Sequence, residues 1–302
     1  MDRSSLDILQ QLDFPNLHTI ALEELEAENK KLLEVKRTRS RIEYYFTCTP
    51  SLPLYILNNH PEVNIITYLD ADLFFFADPA PIYNEFAGRS IAIIPHRFSP
   101  KLRSKERRGI YNVGYLSFRR DQNALACLQW WRDKCIEWCY DRIEYNRYAD
   151  QKYLDDWPAR FQGVLEIQHK GANLAPWNLS NYAIVKDRNT VRVDDQPLIF
   201  FHFHGFRQIT SWLYDPNWAI YNVKPSQTLK QNIAAPYIQA LAEADRMVSS
   251  KLSTSPLPRS IRDQSGNRPL RHRIWKALDN LICTGKTILT GNYVVVVSGN
   301  VR

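Results

Sequence analysis

No stretch of the 302-residue sequence approaches the roughly 20 apolar residues that a bilayer-spanning helix requires; runs such as Ile199–Phe201 and Val294–Val297 stop far short. Glycine (10) and proline (17) are too few, and too irregularly placed, for a collagen-like or low-complexity chain. The cysteines, Cys48, Cys127, Cys135, Cys139 and Cys283, are odd in number and form no Cys-x-x-Cys pair, which argues against a disulfide framework and a zinc ribbon. The opening residues MDRSSLDILQQLDF carry an early acid and lack an apolar core of signal-peptide length, so a cytoplasmic address is expected. What remains is ample for folding. Hydrophobic residues make up 44% and charged residues 24%, enough for one large core or two modest ones. A net charge of +7 favours anionic partners: phosphates, nucleotides, nucleic acid or acidic lipid headgroups.

Strand-like and helix-like segments alternate, which predicts an α/β fold. Residues 21–36 place acids first and lysines last around helically spaced leucines, the pattern of a surface helix. A helical stretch over 41–59 is interrupted by Pro50 and Pro53. Strands are predicted at 63–69, 91–98 and 111–120, a long buried helix at 124–143, a short helix around 149–161, a strand at 197–206 and a helix at 226–248. The polar Ser- and Pro-rich stretch 249–269 reads as a linker. Beyond it, 270–302 reads as a basic tail whose helix groups Ile274, Trp275, Leu278, Leu281 and Ile282 on one face. Residues 1–225 are therefore expected to form the main domain, with helix 226–248 packed on it.

The sharpest chemical feature is Asp70 and Asp72 in YLDADLFFFADP, two acids where a hydrophobic strand runs out. Ligands of open α/β sheets gather at such strand ends, and two carboxylates there can hold a divalent cation that binds a diphosphate. A solvated turn is the plainer alternative. His202 and His204 in FFHFHGF lie two apart, on one face of an extended strand, and an imidazole joining two carboxylates suits Mn²⁺ better than Mg²⁺. Asn112 and Gly114 open an apolar strand where an amide and a bare backbone allow close approach to a sugar; Asp150 and Gln151 open a helix-like stretch and could grip sugar hydroxyls. Ordinary capping and turn chemistry is the competing account of both pairs. The loop carrying His96, Arg97, Lys101, Arg103, Lys105, Arg107 and Arg108 is dense in positive charge and suits a diphosphate or an anionic acceptor. Cys135 and Cys139, one helical turn apart, could join His202 in a metal site, although Trp130, Trp131 and Trp138 around them suggest a packed core.

In order, YLDADLFFFADP, YNVGYLSF, DQKYLDDWP, APWNL and HFHGF resemble the motif series of GT-A fold glycosyltransferases, most closely the family 8-like nucleotide-diphospho-sugar transferases, over roughly residues 17–222. The resemblance implies transfer of a sugar from a nucleotide-diphosphate donor to a glycan or lipid-linked acceptor, with retention, and with bound Mn²⁺ or Mg²⁺. It matches Asp70 and Asp72 to the family's metal-binding DxD and His202 to its metal-binding histidine, with Gly205 as the glycine that follows. It also matches Asn112 and Gly114 to the strand motif beside the donor sugar, Asp150 and Gln151 to the DQ pair on that sugar, and Trp177 and Asn178 to an element near the acceptor. Arg97, from the basic loop, is a candidate for the diphosphate.

Two departures qualify the pattern. The strand and turn with which the family holds the nucleotide base have no counterpart before LHTIALEEL, so the first strand is expected to be missing. RQITSW follows the histidine element in place of the family's lysine, proline and tryptophan, leaving Arg207 as a substitute. These departures make a degenerate, non-catalytic sugar-nucleotide-binding protein or a truncated remnant the main rival. A dehalogenase-like phosphatase needs Thr or Val two residues after the second Asp, where Phe74 stands. No motif supports nucleic-acid binding. The basic tail helix suits peripheral contact with the inner face of a membrane.

Overall fold

The computed structural model describes residues 3–252, 292–297 and 300–301. In chain order the helices are α1 (Arg3–Leu12), α2 (Leu22–Glu28), α3 (Lys30–Lys36), α4 (Arg41–Cys48), α5 (Ser51–Asn59), α6 (Ala80–Phe86), α7 (Gln122–Glu137), α8 (Trp157–Arg160) and α9 (Ala235–Leu252). The strands are β1 (Ile65–Leu69), β2 (Leu73–Phe75), β3 (Ile91–Pro95), β4 (Tyr111–Arg119), β5 (Val164–Glu166), β6 (Ile184–Asp187), β7 (Thr190–Val193) and β8 (Gln196–Pro197). The last five are β9 (Phe200–His202), β10 (Arg207–Gln208), β11 (Leu213–Asp215), β12 (Val294–Val297) and β13 (Asn300–Val301). The architecture is mixed α/β and divides into two compact units, residues 20–183 with 187–202, and residues 1–19 with 184–186 and 203–302.

The larger unit is built on a sheet ordered β1-β4-β3-β5, antiparallel except for the parallel pair β3–β5. Alternation along β3 loads both faces. Ile91 and Ile93 join Leu54 and Leu57 of α5 and Leu128 and Trp131 of α7 in one core, whereas Ala92 and Ile94 join Ile82 and Phe86 of α6 and Phe200 of β9 in the other. A sheet covered on both sides explains why its strands read as near-continuous apolar runs. The α7 helix starts where the Asp121 carboxylate accepts from the Ala124 amide at 3.0 Å. Its far end is capped from a distance: the buried Arg39 guanidinium donates to the carbonyls of Cys135, Ile136 and Cys139 at 3.1, 2.7 and 2.7 Å.

Several predicted elements are shorter than the sequence suggests. The helix predicted over 21–36 breaks at Asn29, whose φ of −134° is extended, into α2 and α3. The helix predicted to 143 stops at Glu137; Trp138 is extended, and Cys139 lies beyond the helix end. Cys135 and Cys139 therefore do not share a helix face, and both are buried in the core. The strand predicted over 197–206 is confined to Phe200–His202, so His204 falls past its end.

In the smaller unit the π-helical turn Leu229–Ala234 leads into α9, which extends the helix predicted over 226–248. Tyr237 of α9 stacks on Phe203 with ring centroids 3.8 Å apart. The β10–β11 hairpin continues through β12 to β13, with Leu213 opposite Val295, so the predicted tail contributes sheet as well. The expected linker, apart from 249–252 in α9, and the expected tail helix lie outside the described residues. No helix among the described residues is long and apolar enough to cross a membrane.

Candidate metal centre

The β1 strand ends at Leu69, but the Asp70 amide still donates to the Gly114 carbonyl of β4 at 3.0 Å. The chain then turns tightly: the Leu73 amide returns to the Asp70 carbonyl at 3.3 Å, which puts Asp70 and Asp72 on one turn. Strand β2 follows at once and pairs antiparallel with β9, with Leu73 directly opposite His202. This register brings the imidazole to the carboxylates. His202 Nε2 lies 3.0 Å from Asp72 Oδ1 and 3.9 Å from Asp70 Oδ2. The other oxygen of Asp70 accepts from the Tyr68 hydroxyl at 2.9 Å.

A buried polar chain behind His202 fixes which nitrogen carries the proton. The Ile110 carbonyl, 3.1 Å from His96 Nδ1, can only accept, so Nδ1 of neutral His96 donates and its Nε2 accepts. The Asn112 amide group, 3.3 Å away, therefore donates to His96 Nε2 and turns its Oδ1 to His202 Nδ1 at 3.2 Å. His202 Nδ1 therefore donates to Asn112, while Nε2 faces the two aspartates, where a proton on it would bond to Asp72 and its displacement would free the lone pair that imidazole gives a metal. Donors bound side by side on a first-row cation lie about 3 Å apart, from metal–ligand bonds near 2.1 Å. Asp72 Oδ1 and His202 Nε2 stand at the spacing of two neighbouring ligands of one cation, with an oxygen of Asp70 3.9 Å from the imidazole.

Gly114 has a role here that the sequence does not announce. A Cβ at this position would stand 2.7 Å from both Asn112 Oδ1 and His202 Cε1, and 2.9 Å from His202 Nδ1. Only glycine leaves room for the Asn112–His202 bond, and its amide also donates to Asn112 Oδ1 at 3.2 Å. Trp177 walls the same spot, its ring edge-on to His202 at 5.1 Å, and its Nε1 donates to the His96 carbonyl at 2.8 Å.

Electrostatics around the acids are uneven. Partial burial pushes the Asp70 carboxyl above its ordinary range and Asp72 adds to this, while His202 and the Tyr68 hydroxyl oppose it. Asp150 is buried, and desolvation followed by the charge of Asp70 pushes it up to about 7, against hydrogen bonds from Thr49 and from the backbone amides of Asp150 and Gln151. Its carbonyl accepts from Trp131 Nε1 at 2.8 Å, anchoring it to α7.

The remaining predicted residues have other engagements. The Gln151 amide donates to the Arg108 carbonyl at 3.2 Å. Arg97, with φ of 53°, spends its guanidinium on the carbonyls of Ile167, Ala172 and His169 at 2.8, 3.0 and 3.3 Å, so it braces the backbone. Asn178 is fully buried and braces likewise: its Nδ2 donates to the His96 and Asn173 carbonyls, and its Oδ1 accepts from the Ala175 amide. Gly205 belongs to the smaller unit, where φ is 71° and a Cβ would lie 2.5 Å from Asn217 Nδ2, which donates to the His204 carbonyl. Arg207 is paired with the buried Asp215 in the same unit. Burial pushes the Cys135 thiol well up, which disfavours the thiolate that a metal would need.

Sequence reasoning overlooked Tyr68 and placed His96 in the basic loop, not behind His202. For Tyr68 the signal is its spacing, two residues before Asp70 on the same strand face. For His96 there is none, because its partner Asn112 lies beyond the whole basic loop.

No family model matches the chain. It is 33% identical over 241 residues to the uncharacterized protein YfnD of Bacillus subtilis (strain 168), an alignment covering 79% of this chain and 76% of that protein. It is 35% identical over 218 residues to the uncharacterized protein YfnF of the same strain, covering 70% and 71% respectively. At this identity across more than two thirds of each sequence, the chain belongs to the family of the Bacillus proteins YfnD and YfnF.

Proposed function

We propose that this chain is a metal-dependent glycosyltransferase of GT-A type, moving a sugar from a nucleotide-diphosphate donor to a glycan or lipid-linked acceptor. The observation that carries the reading is the His96–Asn112–His202 chain, which orients Nε2 of His202 onto the DxD carboxylates. A solvated turn of two acids has no use for a buried, proton-fixed histidine behind it. The ordered sequence motifs supply the reaction class.

Asp70, Asp72 and His202 would hold the cation, which when bound supplies positive charge to the leaving diphosphate. The chain's own residues prepare that site. Asn112 keeps the proton on His202 Nδ1, Tyr68 occupies one oxygen of Asp70, and Gly114 and Trp177 fix the plane of the ring. Asp150, its pKa raised to about 7 and so about half protonated at neutrality, limits the negative charge beside Asp70. In the reaction the anomeric carbon exchanges its bond to a diphosphate oxygen for one to an acceptor oxygen, whose proton passes to the departing diphosphate or to solvent.

Calorimetric titration of UDP, GDP and their common sugar conjugates, each with Mn²⁺ and with EDTA, on wild type and Asp72→Ala tests the proposal. Binding of one nucleotide that needs Mn²⁺ and vanishes in Asp72→Ala is the expected result. No nucleotide binding by the folded protein would overturn it in favour of a truncated remnant that has lost the donor site.

A further inference from the structure

The segment Pro100–Arg108 forms a 3₁₀ helix of nine residues, about 18 Å long at 2.0 Å per residue. It carries Lys101, Arg103, Lys105, Arg107 and Arg108 against the single carboxylate of Glu106. With three residues per turn, residues three apart stack, so buried Leu102 anchors the row of Lys105 and Arg108, while Lys101 and Arg107 form an exposed row and Arg103 lies exposed on the third. Lys101, Arg103, Arg107 and Arg108 make no ion pair among the described residues; Arg108 instead lies over the Tyr148 ring at 5.4 Å. The Lys105 ammonium is held below its ordinary range by partial burial and by the charges of Arg108 and Arg107. Nearby acid is already engaged: Asp155 pairs with Lys152 at 2.6 Å and accepts from the Ile110 amide at 2.7 Å.

The helix is held firmly. The Arg108 carbonyl accepts from Gln151, the Glu106 carbonyl accepts from Lys152 at 3.3 Å, and the Ser99 amide donates to the Trp177 carbonyl at 3.2 Å. Its stem is the His96–Ile110 pair, in which the backbone amide and Nδ1 of His96 both donate to one carbonyl, at 2.9 and 3.1 Å. That pair is also the first link of the chain leading to His202, so the basic lobe and the candidate centre share a foundation. Like charges at this density on Lys101, Arg103 and Arg107, which make no ion pair among the described residues, favour binding of an anion.

We propose that Lys101, Arg103 and Arg107 form the binding surface for an acceptor that is itself anionic, a glycan bearing phosphodiester or carboxylate groups. This rests on the glycosyltransferase reading and names the acceptor class for it. A flexible chain whose charges recur every few ångströms matches a single narrow ridge of about 18 Å better than the broad face of a duplex or a membrane does.

The test is direct binding by the full chain in EDTA, without donor, which makes it independent of the nucleotide experiment. The probes are a glycerol phosphate hexamer, a galacturonate hexamer and a neutral glucose hexamer. The expected result is binding of at least one anionic probe, none of the neutral one, and a loss of about tenfold or more in Lys101→Gln/Arg103→Gln/Arg107→Gln. The tighter anionic probe identifies phosphodiester or carboxylate as the charge source. These side chains are exposed, so an unchanged unfolding midpoint of the triple variant verifies its fold. Equal affinity in wild type and variant, no binding of either anionic probe, or tighter binding of duplex DNA or phosphatidylserine vesicles through the same residues would overturn the proposal. Asp72→Ala should bind the anionic probe as wild type does, so failure of the metal reading and failure of this one are separable.

Discussion

Replacing Gly114 by alanine adds one methyl group at the most crowded point behind the candidate centre. The new Cβ would lie 2.7 Å from Asn112 Oδ1 and His202 Cε1, where about 3.5 Å is comfortable, so the ring or the amide must retreat by roughly 0.8 Å. The Nδ1–Oδ1 bond, already 3.2 Å, would stretch beyond useful length. Loss of such an outer contact lowers metal affinity about 10- to 100-fold, and overpacking costs about 1–3 kcal/mol of stability. Calorimetric titration with Mn²⁺ reads the first effect and urea unfolding the second. Asn112→Ala is the companion variant, since it removes the same acceptor without added bulk and should lose metal affinity to a similar degree. If wild type binds Mn²⁺ and Gly114→Ala binds it within about twofold, the proton-fixing chain does not position His202 for metal and the argument fails.

The other predictions concern proton balance and bracing. Because the Asp150 pKa is raised from 3.8 to about 7, the folded state binds more protons than the unfolded one between those values, so this group's contribution to stability falls as pH rises from about 4 to about 7. The span corresponds to on the order of 4 kcal/mol, and Asp150→Asn, measured in EDTA, should gain on wild type across that window and stay level with it above. Arg39→Met leaves three carbonyls at the end of α7 without their donor and should lower stability by about 3 kcal/mol in urea unfolding, with little change in metal binding. Arg97→Gln should likewise destabilise the fold while leaving donor affinity unchanged, and a selective loss of donor binding would restore the diphosphate role that its sequence context suggests. Gly171→Ala should not yield folded protein, because the new Cβ would fall 1.8 Å from the Pro197 carbonyl oxygen; a normal urea transition for this variant would contradict the close passage of the two segments.

Sequence was most informative where the physics is local. Ile91–Pro95 and Tyr111–Arg119 were legible as strands because a sheet covered on both faces demands unbroken apolar runs, and the acids at the end of β1 stood out against that background. Helix ends were harder. Nothing in WCYDRI marks the stop at Glu137, because the apolar spacing continues and the carbonyls there are satisfied by Arg39, about a hundred residues earlier in the chain. In the site, the residue types that promise ligand contact also serve to brace: Arg97 and Asn178 carry the donors expected of a sugar-nucleotide site, yet they spend them on backbone carbonyls. Asn112 and Gly114 were found for their likeness to a sugar-binding strand, whereas in the fold they orient a histidine 90 residues away. Such pairings are set by strand register and leave no local trace in the sequence.

The pairing of Leu73 with His202 also sets an order of assembly. During synthesis the segments of the β1-β4-β3-β5 sheet are all available once Glu166 has emerged, and α5, α6 and α7 can already cover it. Strand β9 is the last strand of the larger unit to arrive and must close a loop of more than a hundred residues, a slow step of high contact order. Until it docks, the aspartate turn has no histidine opposite and Phe200 leaves its side of the core unfilled. The candidate centre is therefore the last part of the larger unit to be completed, because His202 reaches the aspartate turn only as that strand seats.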